Sequence, residues 1–273
     1  MKKTLVIEPR KSTVGFLQEL WQYRDLFYFL AWRDILVRYK QTVIGIAWSV
    51  LRPLLTMIIL TIVFGKIAKL PPGDVPYPIL VFAALLPWQL FSNTFSESSN
   101  SLISNANLVS KVYFPRIIIP STAMVVSLID FIISFGILGA LMLWYNFIPD
   151  ARIFALPLLL LLAIITSLGM GYLIAALNVK YRDFRYIVPF MVQFGLYISP
   201  VGFSSNVIPE QWRLLYSLNP MVGVIDGFRW AILGSDAQIY WPGFLLSIGF
   251  SLALFIYGVR YFIRTERQFA DVI

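Results

Sequence analysis

The chain alternates long apolar runs with short polar ones. Six runs approach the roughly 20 residues that a helix needs to cross about 30 Å of hydrocarbon: 43–64, 77–95, 117–145, 154–177, 187–203 and 242–262. The third is long enough to tilt or to begin in the interface. Ahead of the first run, FLQELWQYRDLFYFLAWRDILVRYK has an apolar centre too short to cross, flanked by charges and by Trp21, Tyr23, Trp32 and Tyr39. That pattern predicts an amphipathic helix lying on the membrane surface. Between the fifth and sixth runs, 204–240 carries short apolar pieces broken by Pro209, Asn219, Pro220 and Gly223. Such pieces cannot span, so they predict two short re-entrant helices at 207–216 and 221–233. The expected fold is an all-α integral membrane protein with six transmembrane helices. A segment 1–42 with the interface helix precedes a domain 43–262, and a tail 263–273 follows.

Composition supports lipid as the solvent, because 59% of residues are hydrophobic and only 13% charged, against roughly 25% charged in soluble domains. The net charge of +8 gathers beside the apolar runs, where anionic headgroups explain it, so no nucleic-acid partner is expected. Sixteen of the 22 Lys and Arg fall on the side that holds both termini, and five fall on the other: Lys66, Lys69, Arg152, Arg213 and Arg229. Both termini should therefore be cytoplasmic. The basic N-terminus has only a four-residue apolar run before Glu8 and Pro9, too short for a signal-peptide core. Cysteine and histidine are absent, which removes disulfides, thiol nucleophiles and the commonest general base. The outer carboxylates are scattered, unlike the paired acids of a lipid-linked sugar enzyme. No internal repeat suggests a secondary transporter.

This orientation puts NLVSKVYFPR, 107–116, in a cytosolic loop. Leu102, Ala106, Val109 and Tyr113 recur at helical spacing and Pro115 stops the pattern, predicting a short helix near 100–115. It reads either as a linker on the headgroups or as a docking element. Arg52 lies inside the first run, about 15 Å deep, and Asp130 lies about 20 Å along the third. A pair between them is the favoured reading, with Arg52 facing a watery channel as the other. Pro53 should kink the first span.

RDILVRYKQTVIGIAWSVLRPLL, NANLVSKVYFPR, VKYRDFRYIVPF, LNPMVGVIDGFRWAILG and ERQFADVI resemble the membrane subunit of ATP-binding-cassette exporters of polysaccharides and polyol phosphates. This type-2 permease group includes O-antigen, capsule and teichoic-acid exporters, and the likeness runs from Arg33 to the end. It implies a bacterial inner-membrane homodimer with two ATPase subunits, moving a lipid-linked glycan outward through a channel on the dimer axis. An O-antigen-like polymer is the first expectation, with capsular or teichoic polymers as alternatives. The resemblance assigns ATP and magnesium to the partner. In agreement, the only Gly-Lys pair, Gly65-Lys66, has Leu60 where a phosphate-cradling loop needs its first glycine. The chain is expected to bind no cofactor or metal and to be no enzyme.

With the family in view, Asn105, Leu108, Val109, Lys111, Tyr113, Phe114 and Pro115 become the expected coupling helix. Sugar C–H faces lie flat on rings, so Phe190, Phe194 and Tyr197, with Trp48, Ser49 and Thr56, are candidate channel lining. Packing and lipid-belt roles fit the same aromatic stripe. Arg33, Arg38 and Lys40 are placed to meet a lipid phosphate, or simply anionic lipid. Pro209, Trp212, Tyr216, Asn219, Pro220 and Arg229 form the expected outer gate. KYRDFR, 180–185, is a second cytosolic turn that could meet the motor.

Overall fold

The computed structural model describes residues 13–40, 45–71, 75–234 and 237–269. The basic stretch 1–12, the start of the first run at 43–44 and the last four residues of the tail lie outside the described residues, as do Asp74 and Asp236. Among the described residues the chain is helical, with no strand.

Two helices precede the bundle: α1, Thr13–Gln22, and α2, Arg24–Lys40. Leu30 and Ala31 of α2 are buried, while Trp21, Tyr28, Phe29 and Trp32 remain exposed. This is the two-faced character read from the sequence, except that the inner face packs on protein. The first span is helix α3, Gly45–Leu60, which continues as a π-helical stretch Thr61–Ile67. The second is α4, Tyr77–Ser104. A six-residue helix α5, Ala106–Lys111, leads into α6, Ile118–Trp144. A 3₁₀ turn, Ala151–Ala155, opens α7, Leu156–Lys180. Helix α8, Phe184–Ile198, follows, then α9, Glu210–Tyr216, and α10, Pro220–Leu233. The last long helix is α11, Trp241–Thr265.

Five helical segments are long and apolar enough to cross a membrane, and α8 is a shorter sixth. At 15 residues it is about 22 Å long, and it ends at Ile198 rather than at 203 as expected. Pro200 explains the early stop, because it disfavours helical geometry at Ser199, which is extended at φ −80°, ψ 152°. The opposite error occurs in α4, which runs nine residues beyond the expected end at 95. Its extension, SESSNSLIS, is too polar to register as a span.

Helix α4 is the hub. Its most apolar window is 83% buried, against about 20% for α3, α6 and α11. It packs on α6, α7, α8 and α10, and residues 79–86 are almost wholly enclosed. Helices α7 and α11 approach so closely that a Cβ on Gly258 would sit 2.2 Å from the Gly169 carbonyl oxygen. A second cluster gathers where Leu30, Leu102, Val109, Phe114, Tyr172 and Phe262 meet.

Candidate functional site

Polar residues on α4 recur with helical spacing at Gln89, Ser92, Asn93, Ser96, Glu97, Asn100, Ser101 and Ser104, all on one face. The ladder extends about 22 Å along the helix axis. Its upper members face a cavity of about 870 Å³ walled also by Trp48, Ser49, Arg52 and Thr56 of α3, Trp88 of α4, Asp130 and Ser134 of α6, and Val192 and Gln193 of α8. Its lower members line a second cavity of about 390 Å³, bounded by Arg33, Asp34, Val37 and Arg38 of α2 and by Thr122 and Val126 of α6. Arg38 and Glu97 belong to both. The two cavities thus continue one polar track along α4. Within a membrane, such a row of hydroxyls and amides is stable only against water, protein or a polar ligand.

One carboxylate organises the upper cavity. Asp130 Oδ1 accepts hydrogen bonds from the Tyr39 hydroxyl at 2.7 Å and from Ser49 Oγ at 2.9 Å. Its Oδ2 faces the Arg38 guanidinium at 2.6 Å. Burial, with the bond to Asp130, pushes the Tyr39 hydroxyl up to about 12, so it remains a donor. The end of α2 is thereby fixed between α3 and α6. The expected Arg52–Asp130 pair is not formed: among the described residues Arg52 makes no ion pair, and it is exposed on the cavity wall. Charge and depth were legible, but the competing guanidinium comes from a surface helix whose packing the sequence does not state.

Trp48, Ser49 and Thr56 line the cavity as expected. Phe190, Phe194 and Tyr197 do not. They are exposed on the opposite face of α8, while Val188, Val192, Gln193 and Leu196 turn toward the cavity. Gly195 admits the Trp88 indole, whose edge would lie 2.6 Å from an added Cβ. The α4 ladder itself was missed, although its i, i+3, i+4 spacing is present in the sequence.

Of the cationic trio on α2, Arg33 pairs with Asp34 at 2.7 Å and also donates to Asn105 Oδ1 at 3.0 Å. Arg38 is held by Asp130, and Lys40 is exposed. Two of the three are therefore already engaged within the chain.

The expected coupling residues divide between two faces. Val109 and Phe114 are 1% and 3% exposed and join the chain's own core, with Pro115 buried and Leu108 half-buried, whereas Lys111 and Tyr113 are exposed. The Leu102–Val109 stripe is the inner face, because it must cover α6 and α7. The outer face is Asn107, Ser110, Lys111, Val112 and Tyr113. Asn105 breaks α4 from α5 and is itself anchored by Arg33. The Arg116 backbone N–H donates to a Glu266 carboxylate oxygen at 2.5 Å, and the Arg116 guanidinium donates to the Glu266 carbonyl. The quoted segments NANLVSKVYFPR and ERQFADVI thus meet through their Arg and Glu.

At the other end of the bundle, the expected gate residues tie down the end of α8. Tyr216 donates to the Ile198 carbonyl at 2.7 Å, and Asn219 donates to Ser199 Oγ at 2.9 Å while capping α10. Arg229 is 3% exposed and donates to the carbonyls of Phe203, Val201 and Leu80. The bonds to Val201 and Phe203 satisfy backbone acceptors in the irregular segment after α8, and the bond to Leu80 ties that segment to α4. Desolvation pushes the nearby Asp226 carboxyl up to about 6, against the opposing pull of Arg229 and Ser205. Pro209 and Pro220 start α9 and α10, and Trp212 is exposed. Helix α10 is enclosed by α4, α7 and α11, whereas α9 exposes Trp212, Leu214 and Leu215.

Comparison with known proteins agrees with this architecture. The ABC-2 type transporter family model matches residues 25–233. The chain is 27% identical over 219 residues to the O-antigen export system permease protein RfbA of Myxococcus xanthus, covering 79% of this chain and 83% of that one. It is 26% identical over 250 residues to the protein of the same name from Klebsiella pneumoniae, covering 91% and 95%. It is also 26% identical over 204 residues to the polysialic acid transport protein KpsM of Escherichia coli, covering 74% and 78%. The match takes in α2, the polar ladder of α4, the Asp130 node and the outer segment together, and this multi-pass membrane protein belongs to the ABC-2 type transporter family.

Proposed function

We propose that this chain is the membrane subunit of an ATP-driven exporter that carries a lipid-linked, O-antigen-like polysaccharide from the cytoplasm to the outer side of a bacterial inner membrane. The observation that carries the reading is the α4 ladder, a membrane-embedded row of hydroxyl and amide groups opening into a cavity of about 870 Å³. A sugar polymer can exchange hydrogen bonds along such a row one repeat at a time. Each exchange is worth only about 0.5–1.5 kcal/mol net, so the polymer is held without being fixed. Trp48, exposed on the cavity wall, supplies a flat face for the apolar sides of the rings.

The remaining parts follow from that path. Two copies of the chain set their α3 and α8 faces together, giving a continuous channel on the dimer axis. Hydrolysis belongs to a separate cytoplasmic ATPase, which holds ATP and magnesium and docks on Asn107, Ser110, Lys111, Val112 and Tyr113. Both termini lie in the cytoplasm. Lys40, with Arg33 and Arg38, meets the carrier phosphate at the cytoplasmic mouth. Helices α9 and α10 re-enter from the outer side and seal it between rounds. The relatives named for O-antigen export favour that substrate class over the capsular one.

Reconstitution with the ATPase in proteoliposomes tests this reading. ATP-dependent delivery of a lipid-linked mannan to the far side supports it. A permease that neither binds an ATPase nor moves the glycan refutes it.

A further inference from the structure

We infer that the polymer accepted by this groove is uncharged along its repeat unit. The inference rests on the glycan-export reading and narrows its substrate class. An anionic polymer brings a new charge into the membrane at every repeat, and pores that pass anions meet that demand with rings of Arg or Lys. This groove has none. Its walls carry two guanidiniums, Arg38 and Arg52, and two carboxylates, Glu97 and Asp130. Arg38 is spent on Asp130 at 2.6 Å, with Glu97 a further 3.9 Å contact.

A second copy of the chain cannot change the balance, because it adds equal numbers of each sign. The helix faces beside the groove add one cation and no ring: α3 carries Arg52 alone, and α8 carries a single charge, Arg185, in its first turn. Glu97 stands in both cavities and is exposed, so every anionic repeat would pass a carboxylate on its way in. The ladder offers instead neutral groups that both donate and accept, which match sugar hydroxyls. A carrier phosphate is met only once per chain, whereas a charged repeat is met at every step.

The test compares two probes on one carrier lipid, a neutral mannan and polysialic acid, using the full permease and its ATPase in proteoliposomes. Transport of the mannan should exceed that of polysialic acid by roughly tenfold or more. A Ser96→Lys plus Asn100→Lys permease, checked for folding by its elution profile, should shift the ratio toward polysialic acid. Equal or faster transport of polysialic acid by the parent protein overturns the inference while leaving the export reading intact. Movement of neither polymer overturns both. If the double variant fails to fold, the parent comparison alone decides.

Discussion

Replacing Asp130 by asparagine removes the charge at the centre of the upper cavity while keeping the shape and an oxygen for Tyr39 and Ser49. What is lost is the partner of Arg38. Breaking a fully buried ion pair costs about 3–5 kcal/mol, because the remaining charge is left uncompensated. Here the Arg38 side chain is 30% exposed and Glu97 lies at 3.9 Å, so water and the second carboxylate relieve much of that, leaving about 2 kcal/mol. For a chain of this size the loss corresponds to a drop of about 4–8 °C in apparent Tm, read by thermal unfolding of the purified protein in detergent. The decisive part is a double-mutant cycle. Arg38→Gln and Asp130→Asn should couple by about 1–2 kcal/mol, whereas Arg52→Gln and Asp130→Asn should add within about 0.5 kcal/mol. Additivity for Arg38 together with coupling for Arg52 would refute the node as described.

Three further outcomes follow from specific contacts. Arg229→Met leaves the carbonyls of Leu80, Val201 and Phe203 without their donor, so it should lower stability by about 1–3 kcal/mol, seen as a lower Tm and faster protease cleavage after Ile198. Gly258→Leu forces α7 and α11 apart and should nearly abolish folded protein in a membrane-fraction blot. Lys111→Glu plus Tyr113→Glu changes exposed positions only, so the permease should fold normally yet lose its ATPase in a pull-down. Retention of the ATPase would move the docking surface elsewhere.

Much of the architecture was legible because hydropathy reports what lipid tolerates. The long apolar helices leave that trace, and so do the short apolar pieces that fold as α9 and α10. What escaped were features where polarity and helix coexist. The nine-residue extension of α4 carries serines and an asparagine that weaken its apolar signal, although they form one face of a continuous helix. The same masking hid the candidate path. Stripe direction was the second gap: Val109 and Tyr113 share a spacing, but α5 ends at Lys111, so Tyr113 leaves the stripe and turns outward. Partner choice was the third, since depth suggested Arg52 for Asp130 while Arg38 arrives from α2, which precedes the long apolar runs.

The chain's lack of cysteine permits the most direct test of the polar path. Single cysteines at Gln89, Asn93, Ser96 and Asn100 would be probed with a membrane-impermeant thiol reagent, before and during export of a lipid-linked mannan, with Leu158→Cys, 72% exposed on α7 away from both cavities, as the control. The ladder positions should react in the resting protein and become protected while polymer is in transit, with the control unreactive in both states. Ladder cysteines as inert as the control, or equally reactive with and without polymer, would contradict the path.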